Sequence, residues 1–191
     1  MTDPGAWTTE QMEEKDVDII LITHEHADHL HVESLKNVIA NNPGVTVVTN
    51  ISVGNILEKE GIPYVKISHG QSEELKNIFI EGFGEKHALM HPKLESVENT
   101  GYLINNKLFY PGDAFTNPEK QVEILALPVA GPWMKLSEAI DYAIKIKPKV
   151  CFPVHEGMLK QPGSVYRLPP QVLEGEGIQF IALAEGEEVN F

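Results

Sequence analysis

Asp18-Ile19-Ile20-Leu21-Ile22-Thr23-His24-Glu25-His26-Ala27-Asp28-His29-Leu30 is the stretch from which the rest of the chain is read. Four apolar residues between Asp18 and Thr23 read as a buried strand. Directly behind it, three imidazoles and the Asp28 carboxylate fall within six residues, where a strand runs into a loop and side chains gather for chemistry. In extended chain, residues two apart face the same side, so His24 and His26 can grip one ion. Asp28 and His29 follow as the chain turns toward a helix and can face a second ion. A solvated loop carries one or two histidines by accident; four ligand-type residues in six, behind a hydrophobic strand, point to metal chemistry.

Outward from this stretch, residues 1–17 begin with the turn-like Met1-Thr2-Asp3-Pro4-Gly5 and continue in a short polar helix from about Thr9 to Lys15. From His31 to Asn41, Val32, Leu35, Val38 and Ile39 recur at helical spacing until Asn42-Pro43-Gly44 stops them. Val45–Thr49 reads as a strand, Ser52–Glu60 as a helix closed by Gly61, and Pro63–Ser68 as a third strand. Strand, helix, strand, helix, strand argues for layered α/β architecture. Leu75–Gly82 and Gly101–Tyr110 read as strands, the second folded back at Asn105-Asn106 in a tight hairpin turn. Ile124–Val129 and Lys149–Val154 complete the longer strands. Between them, Leu136–Ile146 is the clearest amphipathic helix, with Leu136, Ala139, Ile140, Ala143 and Ile144 on one face. The Gly- and Pro-rich residues 156–172 read as a loop or lid, and short strands are expected near 178–183 and 187–191.

The 191 residues suit a single domain with a sizeable core. Fifteen basic against 28 acidic side chains leave a net charge of −13, a field that repels phosphate backbones and argues against nucleic acid as partner or substrate. The lone Cys151 allows no intrachain disulfide and fits a reducing, cytoplasmic setting. No apolar run reaches the length of a membrane-spanning helix, so no membrane partner is expected. The expected partner is a small-molecule substrate.

Further ligand-type residues sit in loops at or near strand ends. His87 lies between two strands, Asp113 follows Pro111-Gly112, and His155 follows Pro153-Val154. With His24, His26, Asp28 and His29 they make seven donors, enough for two metals, with Asp113 able to bridge them. Here the chain resembles the metallo-β-lactamase superfamily: His24-x-His26-x-Asp28-His29 matches its signature, and His87, Asp113 and His155 match its later single-residue motifs in order. Within it, the chain most resembles small metal-dependent hydrolases akin to L-ascorbate-6-phosphate lactonase. The resemblance implies a four-layer αβ/βα sandwich over residues 1–191. It also implies that His24, His26 and His87 hold one metal, that Asp28, His29 and His155 hold the other, and that Asp113 bridges. Asp28 is then also the catalytic residue that orients an attacking hydroxide. Two divalent ions are implied, zinc first, with manganese or iron as alternatives. Family members carry two or three strands before the Asp-Pro element that Asp3-Pro4 matches, so an N-terminal truncation is expected here; an exposed sheet edge then favours homo-oligomers.

The resulting expectation is a metal-dependent hydrolase that cleaves a small ester, lactone or phosphodiester. The alternatives are a mononuclear iron dioxygenase of the same fold and a non-catalytic metal-binding remnant. A flavodiiron reading fits poorly, because that group carries Glu where this chain has His26. His91 competes with His87, which is preferred from its family position. His31 and His69 are expected to be exposed or ordinary loop residues. Trp133 either lines the pocket or packs against the following helix. Cys151 reads as a buried small residue rather than a nucleophile. Glu156 and the acidic stretch 185–188 read as solvated loop acids.

Overall fold

The computed structural model describes residues 1–161, 163–183 and 186–191. Strand β1 (Ile19–Ile22) forms where four consecutive apolar residues bury both faces of an extended segment. It pairs in parallel with β2 (Thr46–Thr49), and β2 with β3 (Val65–Lys66). The intervening crossovers are α1 (Val32–Asn41) and α2 (Ile51–Lys59). The side chains of His31 and Asn50 cap these two helices by accepting from Ser34 N and Val53 N. Ahead of β1, residues 1–3 run beside it: Leu21 N donates to Met1 O, and Asp3 N donates to Leu21 O.

The second sheet has seven strands in the order β10-β9-β8-β7-β6-β5-β4. Its members are β4 (Ser72–Leu75), β5 (Ile78–Phe83), β6 (Gly101–Ile104), β7 (Leu108–Tyr110), β8 (Ile124–Pro128), β9 (Val150–Val154) and β10 (Gln179–Phe180). Pairing is antiparallel from β4 to β7 and parallel from β7 to β10. Helices α3 (Leu136–Ile146) and α4 (Gly163–Leu173) belong to the parallel end.

Alternate residues of the strands serve different layers, as the two-residue period of a strand requires. Ile20, Ile22 and Val47 pack with Leu35, Val38, Val53 and Leu57 of α1 and α2. Their neighbours Ile19, Leu21 and Val48 turn the other way and meet Ile80 and Tyr102 of the second sheet. On that sheet's far face, Leu103, Phe109, Leu125 and Cys151 meet Ala139, Ala143, Val165 and Leu173 from α3 and α4. Helix, sheet, sheet, helix is the expected four-layer sandwich.

Some elements differ from the sequence reading. The strand expected over 75–82 is two strands, because Lys76 and Asn77 (φ +52° and +63°) make a hairpin turn between β4 and β5. The hairpin at Asn105-Asn106 forms as expected, with both φ values positive. The loop or lid over 156–172 is instead a short 3₁₀ turn at Glu156–Met158 followed by α4. Val165, Pro169 and Leu173, four apart, bury one face of that helix, and this burial outweighs the helix-breaking composition. The polar helix near 9–15 shrinks to a 3₁₀ turn, Glu10–Glu13, with nothing buried to stabilise it. No strand forms over 187–191. Of the acidic stretch, Glu185 lies outside the described residues and 186–188 are exposed. Among the described residues no helix is long and apolar enough to cross a membrane.

Candidate metal centre

All seven motif residues converge at one end of the two sheets. His24 to His29 lie in the turn after β1, which is drawn tight by His29 N and Leu30 N donating to His26 O. His87 stands in the loop after β5; its backbone is held by Val97 O, and the neighbouring Ala88 N donates to Asp113 O. Asp113 closes the turn after β7, where Gly112 has φ +64° and a β-carbon would run into Asn99 and Thr23. Asn99 pins the same turn, accepting from Asp113 N at 3.1 Å and donating to Pro111 O at 2.9 Å. His155 follows β9 in the left-handed region, φ +69°, an uncommon conformation for a residue with a β-carbon.

The facing atoms define two half-sites. His24 Nε2 and His26 Nδ1 stand 3.1 Å apart, and His29 Nε2 and His155 Nε2 also 3.1 Å apart. Ligands on a tetrahedral zinc, with bonds near 2.0–2.1 Å, are separated by about 3.3 Å. His87 completes the first group, with His24 and His26, and Asp28 completes the second, with His29 and His155. Asp113 sits between them: its Oδ2 is 3.3 Å from His87 Nε2 and 3.2 Å from His155 Nε2, and its Oδ1 is 3.3 Å from His29 Nε2. The donor set, imidazole with carboxylate, suits zinc, manganese or iron.

The far nitrogens explain why the near ones are aimed inward. His29 Nδ1 donates to Asp3 Oδ2 at 2.7 Å, and His87 Nδ1 to Ala88 O at 2.6 Å. His24 Nδ1 donates to Thr23 Oγ1 at 3.0 Å, which in turn donates to Asp3 Oδ2 at 2.8 Å. An N–H held on the far side leaves the near nitrogen as a lone pair, the arrangement in which histidine binds metal. Asp3 is the hub of this outer ring, since it also accepts from Thr23 N and from the Tyr110 hydroxyl, each at 2.8 Å. The sequence reading noted Asp3 only as a motif match and did not see this orienting role. Of the two readings of Trp133, lining the pocket holds: its ring meets Phe115 and His87 edge-on at the cavity wall, and its Nε1–H donates to Asp113 Oδ2 at 2.8 Å.

Burial and charge divide the histidines. Burial, then the neighbouring His29, hold His24 down at about 2, and burial likewise lowers His26. Burial also opposes a charge on His29 and His155, but the carboxylates around them prevail. Asp3 and Asp113 raise His29 to about 10, and Asp113 and Asp28 raise His155 to about 9. Burial resists ionisation of Asp113 and Asp28 too, yet hydrogen bonds from the histidines hold both below the usual carboxylate range. The centre is therefore a pair of ionised carboxylates among imidazoles, with His29 and His155 carrying the positive charge that balances them while no cation is bound.

The remaining histidines stay outside. His91 is exposed and accepts from Lys93 N, His69 accepts from Gly84 N, and His31 caps α1. Cys151 is buried within β9, and burial pushes its thiol up to about 12, so it is no nucleophile. Glu156 accepts from the Tyr166 hydroxyl at 3.2 Å rather than orienting His155, whose Nδ1 has no partner among the described residues.

A family model described as the beta-lactamase superfamily domain matches residues 1–155. The chain belongs to the beta-lactamase superfamily. It is 33% identical over 162 residues to Protein Rv0786c of Mycobacterium tuberculosis, covering 82% of this chain and 75% of the relative. It is 25% identical to a UPF0173 metal-dependent hydrolase of Pyrococcus abyssi, over 92% of this chain and 82% of that one. Among solved structures, a proposed metal-dependent hydrolase from Parabacteroides distasonis superposes with a TM-score of 0.74 at 26% identity, covering 95% of this chain and 82% of that one.

Proposed function

We propose that this protein is a metal-dependent hydrolase that binds two divalent cations and cleaves a small ester, lactone or phosphodiester. The observation that carries the reading is the pair of opposed nitrogen contacts, each 3.1 Å, with the ionised Asp113 carboxylate between them. Superfamily membership and the names of the relatives support the same chemistry.

In this reading His24, His26 and His87 would hold one ion and Asp28, His29 and His155 the other, with Asp113 placed between the two groups. Bound there, the cations supply Lewis acidity and water acidified to near-neutral pKa. The side chains do the rest. Asp28 is half-buried, ionised and exposed to the cavity over the site, so it can accept a hydrogen bond from the attacking water or hydroxide and hold it in line. Asp3 and Thr23 fix the ring planes of His29 and His24, and Trp133 fixes one oxygen of Asp113, so little reorganisation is left for the reaction itself.

Elemental analysis of protein purified without added metal, beside Asp113→Ala, tests the reading together with a hydrolysis screen. We expect about two ions of zinc or manganese per chain, falling by at least one in the variant, and turnover of an ester or phosphodiester. Folded protein that takes up no divalent ion would overturn the site, and a single iron with oxygen uptake would turn the assignment toward an oxygenase.

A further inference from the structure

Three of the nine large apolar side chains that stay in water among the described residues come together at the centre. Trp7 (61% exposed), Met90 (47%) and Met158 (40%) all line one cavity. They come from three separate segments: the stretch before the Glu10–Glu13 turn, the loop after β5, and the 3₁₀ turn after β9. The cavity holds about 350 Å³ and is floored by the metal-centre residues, with Pro132 and Trp133 on another wall. A second hollow of about 210 Å³ adjoins it, sharing Trp7, Asp28, His155 and Met158. Single exposed apolar residues are ordinary; three brought from distant parts of the chain to the rim of a charged centre mark a surface that binds something.

The charges of the cavity limit what that is. Neither lining includes a lysine or an arginine, and the ionisable groups present are the centre's own histidines and carboxylates together with Asp3. The chain's single arginine, Arg167, lies in α4 and donates to Gly163 O. Beyond the centre itself, a phosphoryl group bound here would find no lysine or arginine for its outer oxygens, unlike ordinary phosphate sites. Thioethers and indoles instead offer polarisable, adaptable contact to hydrocarbon.

We propose that the natural substrate is a neutral carboxylic ester or lactone carrying an apolar chain of several carbons, seated against Trp7, Met90 and Met158. This rests on the hydrolase reading for its chemistry but on the cavity walls for its specificity. The chain lies along the rim while the carbonyl reaches the centre below. Ester cleavage adds water across the acyl carbon–oxygen bond, giving a carboxylate and an alcohol (one hydroxy acid from a lactone), with no other reactant.

Two measurements test it. Metal-loaded protein is assayed on p-nitrophenyl acetate, butyrate, hexanoate and octanoate beside bis(p-nitrophenyl) phosphate. We expect kcat/KM to rise about tenfold or more along the acyl series, with the phosphodiester below every ester. Trp7→Ser/Met158→Ser, and separately Met90→Ser, should flatten that slope whatever the absolute rate. In the second measurement, tryptophan emission is followed as δ-valerolactone or δ-decalactone is titrated into the protein with and without added metal. We expect about tenfold tighter binding of the longer lactone, lost in the variants. A phosphodiester turned over faster than every ester, or a flat acyl series, overturns the apolar-chain proposal and leaves the hydrolase standing. Selective binding of the long lactone with no turnover of any substrate upholds the cavity and sinks the hydrolase. Chain-length selectivity that survives all three substitutions overturns the assignment of these residues.

Discussion

Asp3 gathers more hydrogen bonds than any ligand it serves. One carboxylate holds the Thr23 backbone and hydroxyl, the His29 ring and the Tyr110 hydroxyl. Asp3→Asn keeps the shape but loses the charge that fixes the His29 N–H on the far side. Metal affinity should fall roughly 10–100-fold, the usual cost of losing such a partner; competition against a chromogenic chelator reads it, and an unchanged affinity would remove Asp3 from the site. The raised histidines make a second prediction at this scale. His29 near 10 and His155 near 9 hold protons in metal-free protein at neutral pH, whereas ligation needs their lone pairs. Metal uptake at about pH 7.5 should therefore release about one proton or more per chain, and the release should fade as pH rises past these values. Calorimetry in buffers of different ionisation enthalpy measures it.

Among the elements, α4 is the one that composition conceals. Pro169 and Pro170 lie inside it, and each lacks the N–H that would reach back four residues, to Val165 O and Tyr166 O. Pro170 is only partly buried, so Pro170→Ala should raise stability by about 1–3 kcal/mol, measured by urea unfolding. A lower stability would show that the proline packs rather than merely interrupts. The sequence misled here because the buried positions 165, 169 and 173 include a proline, so helical periodicity was masked by the residue that most opposes a helix. At Lys76-Asn77 the turn was hidden for a related reason: neither residue is glycine, yet both adopt positive φ. Where periodicity and punctuation agreed, as in β1, α1, α3 and the Asn105-Asn106 turn, the elements form as read. The seven motif side chains were legible from spacing and family resemblance. The outer ring of Asp3, Thr23, Tyr110 and Trp133 was not, because those contacts join residues up to 107 positions apart.

For the whole molecule, the centre is where its two halves meet. The turn after β1 of the first sheet carries one run of candidate ligands, and the loops after β5, β7 and β9 of the second carry the rest, so a cation bound there would crosslink the sandwich across the interface of Ile19, Leu21, Ile80 and Tyr102. A ligand present at a thousand times its dissociation constant stabilises the fold by about 4 kcal/mol. For a chain of this size that is a melting shift on the order of 10 °C. Stripping metal with a chelator should lower the melting temperature by about that much in calorimetry, and a shift under about 2 °C would mean that the halves hold together without the ion. The span of the ligands also has a meaning in time. His29 and His155 touch across 126 positions. At about 5–20 residues per second of synthesis, roughly 6–25 s separate their appearance. The His24–His26–His87 cluster has all its members well before that, so on the ribosome the two halves of one centre have different ages.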